Sequence, residues 1–129
     1  MSRRLDDLSP RMLPLAMQLI ARCIEAGIMV MIVDTRRTPE EQAENVKKGV
    51  SWTLNSRHLT GDAIDICPYE TFALHGPDKL RWDEADPVWN RLGEIGVKLG
   101  LKWGVVKQGV RIDKGHFEYV DRTNAATHG

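Results

Sequence analysis

The 129 residues are 42% hydrophobic and 28% charged, the balance of one globular domain able to bury a core, which excludes a disordered or collagen-like chain. Eighteen Lys and Arg offset eighteen Asp and Glu and the pI is near 6.9, which argues against phosphate-driven binding to nucleic acid and against electrostatic adhesion to anionic lipid. The longest nearly uncharged apolar stretch, residues 26–33, is less than half of the roughly 20 residues that a membrane-spanning helix needs, so no membrane anchor is expected. Asp6 and Asp7 stand where a signal peptide's apolar run would begin, and a cytoplasmic site of synthesis is the expectation. Cys23 and Cys67 each lie in an apolar run and read as buried free thiols, because small disulfide-stapled domains carry more cysteines.

Along the chain, Ser9-Pro10 reads as a helix start. Met12, Leu13, Ala16, Met17, Leu19, Ile20, Cys23 and Ile24 then recur at helical spacing until Gly27. Ile28 to Val33 is apolar on both alternations, the pattern of a strand covered on both faces. Thr38-Pro39 with Glu41 forms a capping box that opens a helix running to Lys48, with Gly49 as its stop. A polar loop leads from Gly49 to Gly61, and Ala63 to Cys67 follows as a short strand that Pro68 is expected to end. Tyr69 to Ala85 has no clean period and reads as an excursion. Asp86-Pro87 caps a second long helix with Val88, Trp89, Leu92, Ile95, Gly96 and Leu99 on one face and Gly100 at its end. Two short strands, near Leu101 to Trp103 and Ile112 to Tyr119, precede a polar tail from about residue 122. The expected fold is a single α+β domain over residues 1–129, with helices packed on a small, mostly antiparallel sheet.

Two of the four histidines keep unusual company. A catalytic zinc site needs three protein ligands and an open fourth position. His58, Asp65 and His116 can supply that set, with one ligand at a loop exit and another on the adjoining strand. On that strand Ala63 and Asp65 share one face and Ile64 and Ile66 the other, so a carboxylate is presented from an otherwise apolar element and calls for a compensating partner. A structural salt bridge from Asp65 to an arginine, with His58 as a plain loop residue, is the competing explanation at this level.

The string Ser56-x-His58-x-x-Gly61-x-Ala63-x-Asp65, followed by Asp113-x-x-His116-Phe117-Glu118, resembles the zinc-dependent D-alanyl-D-alanine carboxypeptidase and L-alanyl-D-glutamate endopeptidase family. Arg37-Thr38-Pro39-Glu40-Glu41-Gln42 and Trp103-Gly104 extend the likeness, which spans Ile28 to Tyr119. The family's second tryptophan after Trp-Gly is missing, and residues 105–109 stand in its place. The resemblance implies a DD-peptidase-like and Hedgehog-like fold with zinc held at the sheet by His58, Asp65 and His116. It implies Asp113 as catalytic base and Arg37 as the cation that polarises the scissile carbonyl or holds the oxyanion. Ser56 and Gln42 match positions that line the substrate cleft. Glu118, two residues beyond His116, is a rival for the base, and orienting an imidazole is its expected role.

Aspartate rather than glutamate at position 113 sides with phage-type endopeptidases that cut the L-alanyl-D-glutamate bond of peptidoglycan stem peptides. By that likeness the protein is a monomeric endolysin, kept in the host cytoplasm until another protein opens the membrane. A D,D- or L,D-carboxypeptidase removing terminal D-alanine and a non-catalytic zinc domain are the alternatives. Trp89 reads as helix core, Trp52 and Trp82 as residues able to border a cleft, and His75 and His128 as surface residues.

Overall fold

The structure, a computed structural model, describes residues 2–49, 56–70 and 79–121. Trp52, His75 and His128, with residues 50–55 of the expected loop and 71–78 of the expected excursion, lie outside these residues. Helix α1 covers Leu13–Glu25, strand β1 Val30–Asp34, helix α2 Pro39–Lys47, strand β2 Ala63–Glu70, strand β3 Lys79–Leu80, helix α3 Val88–Lys98, strand β4 Lys102–Lys107 and strand β5 Val110–Glu118. All the strand pairings are antiparallel, in the order β1-β2-β5-β4, with β3 beside β2. Among the described residues, no helix is long and apolar enough to cross a membrane.

The caps explain where the helices begin. Thr38 Oγ1 accepts from the Glu41 amide while Glu41 Oε1 accepts from the Thr38 amide, at 3.1 and 3.0 Å, so two amides that a helix start would orphan are satisfied reciprocally. Helix α1 starts at Leu13, later than Ser9-Pro10 suggests. Ser9 still accepts from the Met12 amide, but its hydroxyl also donates to Asp62 at 2.6 Å. Residues 10–12 therefore turn around that anchor before the helix begins.

Met12, Leu19 and Cys23 from α1, Trp89 and Leu92 from α3, Ile64 and Ile66 from β2 and Phe117 from β5 form one buried core. Each such side chain contributes about 1.5–3 kcal/mol through removal from water. Helix α3 sits close enough to the sheet that a Cβ on Gly96 would meet the Phe117 ring at 2.3 Å. Both cysteines are free and buried, and burial pushes each thiol up to about 11.

Three expectations about strands are corrected. Strand β1 is an edge strand, and Met31 is 45% exposed, so its apolar run is not covered on both faces. Pro68 does not end β2. Its carbonyl accepts from the Arg81 amide at 2.8 Å, and the N–H that proline lacks falls where only the two-residue β3 runs alongside. Strand β4 does not stop near Trp103 but runs to Lys107, and Gln108 and Gly109, both at positive φ, 51° and 77°, turn it into β5, the geometry of a tight turn matched to strand twist.

Asp62 ties the molecule together at the mouth of the sheet. It is 1% exposed, and it accepts from Ser9 Oγ, Arg11 Nε, Arg11 Nη2 and Thr60 Oγ1 at 2.6, 3.0, 2.8 and 2.6 Å. The Arg11 guanidinium, helped by both hydroxyls, outweighs burial and holds the Asp62 carboxyl well below the usual carboxylate range. Its stabilisation is thus present above the unfolded-state pKa of about 3.9 and fades as pH falls further. Asp62→Ala is expected to cost about 2 kcal/mol in urea denaturation at pH 7. The gap to the parent should narrow at pH 3, and a pH-independent gap would refute this account.

Candidate active site

Register builds the site. Asp34 pairs with Asp65 across β1 and β2, and Asp65 pairs with His116 across β2 and β5. These side chains form one row on the sheet face opposite Ile64 and Phe117. His58 reaches the row from a 3-10 turn, Arg57–Thr60, where Ser56 Oγ accepts from the His58 amide at 3.2 Å and the Arg37 amide donates to the His58 carbonyl at 3.0 Å. Ser56, expected along the cleft, is half-buried and shapes the turn that carries His58.

The donor set of His58, Asp65 and His116 converges, with ligand atoms all within 4.8 Å of one another. His58 Nδ1 lies 2.5 Å from the Thr35 carbonyl and its Nε2 3.1 Å from Asp65 Oδ1. His116 Nδ1 lies 2.9 Å from the same Asp65 oxygen and its Nε2 2.9 Å from Glu118 Oε1. Both nitrogens of each ring thus face oxygen acceptors, whereas a neutral imidazole has a single N–H. With the outward N–H groups given to Thr35 and Glu118, two nitrogen lone pairs and a carboxylate oxygen point at one another. That arrangement is balanced by a cation at the centre, and two imidazoles with one carboxylate suit zinc.

The titrations of the metal-free chain follow from the same contacts. Burial lowers the pKa of His116, but Asp65 and Glu118 overcome it and raise the imidazole to about 10. Burial would raise Asp65, yet His116 and His58 bring it well below the ordinary carboxylate range. For Glu118, too, burial is outweighed by His116, and the carboxyl is lowered. Asp34, 1% exposed, is raised by burial in spite of His58 and Arg37.

Arg37 has a task nearer than a substrate carbonyl. It donates from Nε to Asp34 Oδ2, from Nη1 to Gln42 Oε1 at 2.8 Å and from Nη2 to Asp65 Oδ2 at 3.3 Å. One carboxylate oxygen of Asp65 is thereby held by Arg37 while the other faces the imidazoles. The arginine partner and the imidazole pair, rival explanations in sequence, coexist on the two oxygens of one side chain. Gln42, expected in the cleft, is fully buried behind Arg37.

Asp113 occupies a wide bulge. Trp103 pairs with Phe117 and Val105 with Ile112, so residues 113–116 stand opposite the single Gly104. Asp113 takes φ 55°, and Gly115 lets β5 close on β2, because a Cβ there would meet the Ile66 carbonyl at 2.3 Å. The Asp113 side chain touches solvent, but protein crowds it at longer range. That desolvation, followed by the Asp65 charge, raises its carboxyl above the ordinary value. His116 and His58 pull the other way, which places Asp113 within electrostatic reach of the trio. Sequence reasoning missed Asp34 and Thr35. Only Asp34 carried a signal, an acidic residue closing an apolar strand.

The family model for phage L-alanyl-D-glutamate peptidase matches residues 1–120. The chain belongs to that family. It is 33% identical to the L-alanyl-D-glutamate peptidase of Escherichia phage T5 over 108 residues, covering 69% of this chain and 74% of that one. Among solved structures, the L-Ala D-Glu endopeptidase ChiX of Serratia marcescens superimposes with a TM-score of 0.69 at 21% identity, over 93% of this chain and 86% of its own. The vancomycin-resistance D,D-pentapeptidase VanY, in complex with Zn(II), gives a TM-score of 0.59 at 20% identity, over 93% and 76%. At those identities the two structures speak to the fold. The α+β fold read from the sequence is thus the fold of this peptidase family.

Proposed function

We propose that this member of the phage L-alanyl-D-glutamate peptidase family is a zinc peptidase that hydrolyses the L-alanyl-D-glutamate bond of peptidoglycan stem peptides. As a phage-type endolysin it acts as a monomer that waits in the host cytoplasm for access to the wall. The observation that carries the chemistry is the convergence of His58 Nε2, His116 Nδ1 and Asp65 Oδ1, with Thr35 and Glu118 fixing the outward imidazole nitrogens.

His58, Asp65 and His116 would hold the zinc. A zinc ion there would polarise the scissile carbonyl and lower the pKa of water at the metal to about 7. Arg37 keeps Asp65 turned so that one oxygen faces the imidazoles, with Asp34 and Gln42 holding the guanidinium in turn. Asp113 accepts a proton from the attacking water as the water oxygen bonds to the carbonyl carbon. It returns that proton to the nitrogen of D-glutamate as the C–N bond breaks, so the products are a free carboxylate and a free amine. The raised Asp113 carboxyl suits such a two-way transfer, since a group poised nearer neutrality both takes and gives a proton.

The test is mass spectrometry of purified sacculi digested with the zinc-loaded protein. The expected products are stem peptides beginning with D-glutamate, with L-alanine left on the muramyl sugar. Release of D-alanine alone, with the L-alanyl-D-glutamate bond intact, assigns the protein to the carboxypeptidases. No hydrolysis by zinc-loaded protein makes it a non-catalytic zinc domain.

A further inference from the structure

The bulge that carries Asp113 is gripped at the next peptide. The Lys114 amide donates to Glu84 Oε1 at 3.0 Å, and the Lys114 carbonyl accepts from the Trp103 indole Nε1 at 2.8 Å. Lys114 Nζ also donates to the Glu84 carbonyl at 3.1 Å. Glu84 belongs to the segment between β3 and α3, and Trp103 to β4, so two separate parts of the chain hold the two successive peptide groups that flank the Lys114 Cα. The grip is needed because Lys114 has left the ladder. Residues 113–116 have only Gly104 opposite them on the β4 side, and Asp113 sits at a positive φ that costs a non-glycine residue energy.

We propose that Glu84 and Trp103 are positioning residues for Asp113, holding the peptide groups on either side of the Lys114 Cα and so fixing the direction in which the Asp113 side chain leaves the bulge. This rests on the reading of Asp113 as the proton-transfer group. With the 113–114 peptide held through its N–H and the 114–115 peptide through its C=O, the backbone torsions next to Asp113 are restrained. The preceding residue's side-chain direction is then set, whereas a free bulge would sample several, and a misplacement of about 1 Å at a reacting group costs about 10²-fold in rate. Neither Glu84 nor Trp103 appears in the bonds of His58, Asp65 or His116, so the effect is on proton transfer and not on the metal.

Four variants of the full chain test this on a soluble stem peptide: Glu84→Ala, Glu84→Gln, Trp103→Phe and Asp113→Ala. Glu84→Ala and Trp103→Phe are expected to lower kcat about 10–100-fold, with KM and zinc content unchanged. Amide exchange at Lys114, read by NMR in the metal-free protein, should quicken in both. Glu84→Gln, whose carboxamide oxygen still accepts from the Lys114 amide, should restore both readouts. In the Asp113→Ala background, Glu84→Ala should cost nothing further, because the group it aims is gone. An equal loss in both backgrounds, or quickened exchange with undiminished kcat, overturns the positioning role. Full turnover by Asp113→Ala alone overturns instead the reading on which the proposal rests.

Discussion

His58→Ala is expected to yield a folded protein that neither retains zinc nor cuts the stem peptide. The His58 ring is 1% exposed, and its Nδ1 is held by the Thr35 carbonyl, so the variant loses a buried, oriented nitrogen donor. Two ligands, Asp65 and His116, remain, one fewer than the three that a catalytic zinc site needs. Because an ion that binds only the folded state stabilises it by mass action, the parent should melt at a higher temperature with zinc than after chelation. The variant should show one melting temperature under both conditions. Metal analysis after dialysis and thermal unfolding with and without chelator measure this together. Full zinc occupancy with full lysis in His58→Ala would remove His58 from the ligand set.

Asp113→Ala should separate metal binding from chemistry. Asp113 takes no part in the bonds that hold the imidazoles and Asp65, so zinc content should match the parent. Turnover should drop by about 10²–10⁴-fold, the usual worth of a general acid–base group. An interaction made mainly in the transition state shows in kcat and hardly in KM. Glu118→Ala is the control that decides between the two carboxylates. Glu118 accepts from His116 Nε2 at 2.9 Å, and outer partners of this kind are worth about 10–100-fold in metal affinity. Its loss should therefore be recovered at high zinc, whereas the Asp113→Ala loss should not. If saturating zinc rescued Asp113→Ala but not Glu118→Ala, the proton-transfer role would move to Glu118.

Local signals in this chain were legible because their physics is local. The capping box at Thr38 and Glu41 joins groups three residues apart, the apolar repeat from Met12 to Ile24 needs only helical geometry, and the alternation Ile64, Asp65, Ile66 needs only the pleat. The string from Ser56 to Asp65 is local in the same way, but its residues left a metal site and an arginine salt bridge both open, and its resemblance to the peptidase family is what favoured the metal. The string encodes a turn that delivers one ligand and a strand that delivers the next.

The rest was set by pairings between distant segments, for which the sequence carries no local mark. Asp65 and His116 are 51 residues apart, and only the β2–β5 register makes them cross-strand partners. The separate β4–β5 pairing shifts register between Trp103 and Val105, and that creates the bulge at Asp113. By the resemblance, Arg37 is expected to act on the scissile carbonyl or the oxyanion. Asp34 at the end of β1, Gln42 one turn into α2 and Asp65 on β2 converge on it only once the sheet has formed. What the sequence by itself determined was which side chains could be ligands and which elements would carry them, since residue type and period act within a few residues. Which oxygen of Asp65 faces the imidazoles, which groups orient them and what grips the Asp113 bulge were decided by the tertiary structure. Those are hydrogen-bond directions, and a direction exists only after both partners' backbones are placed.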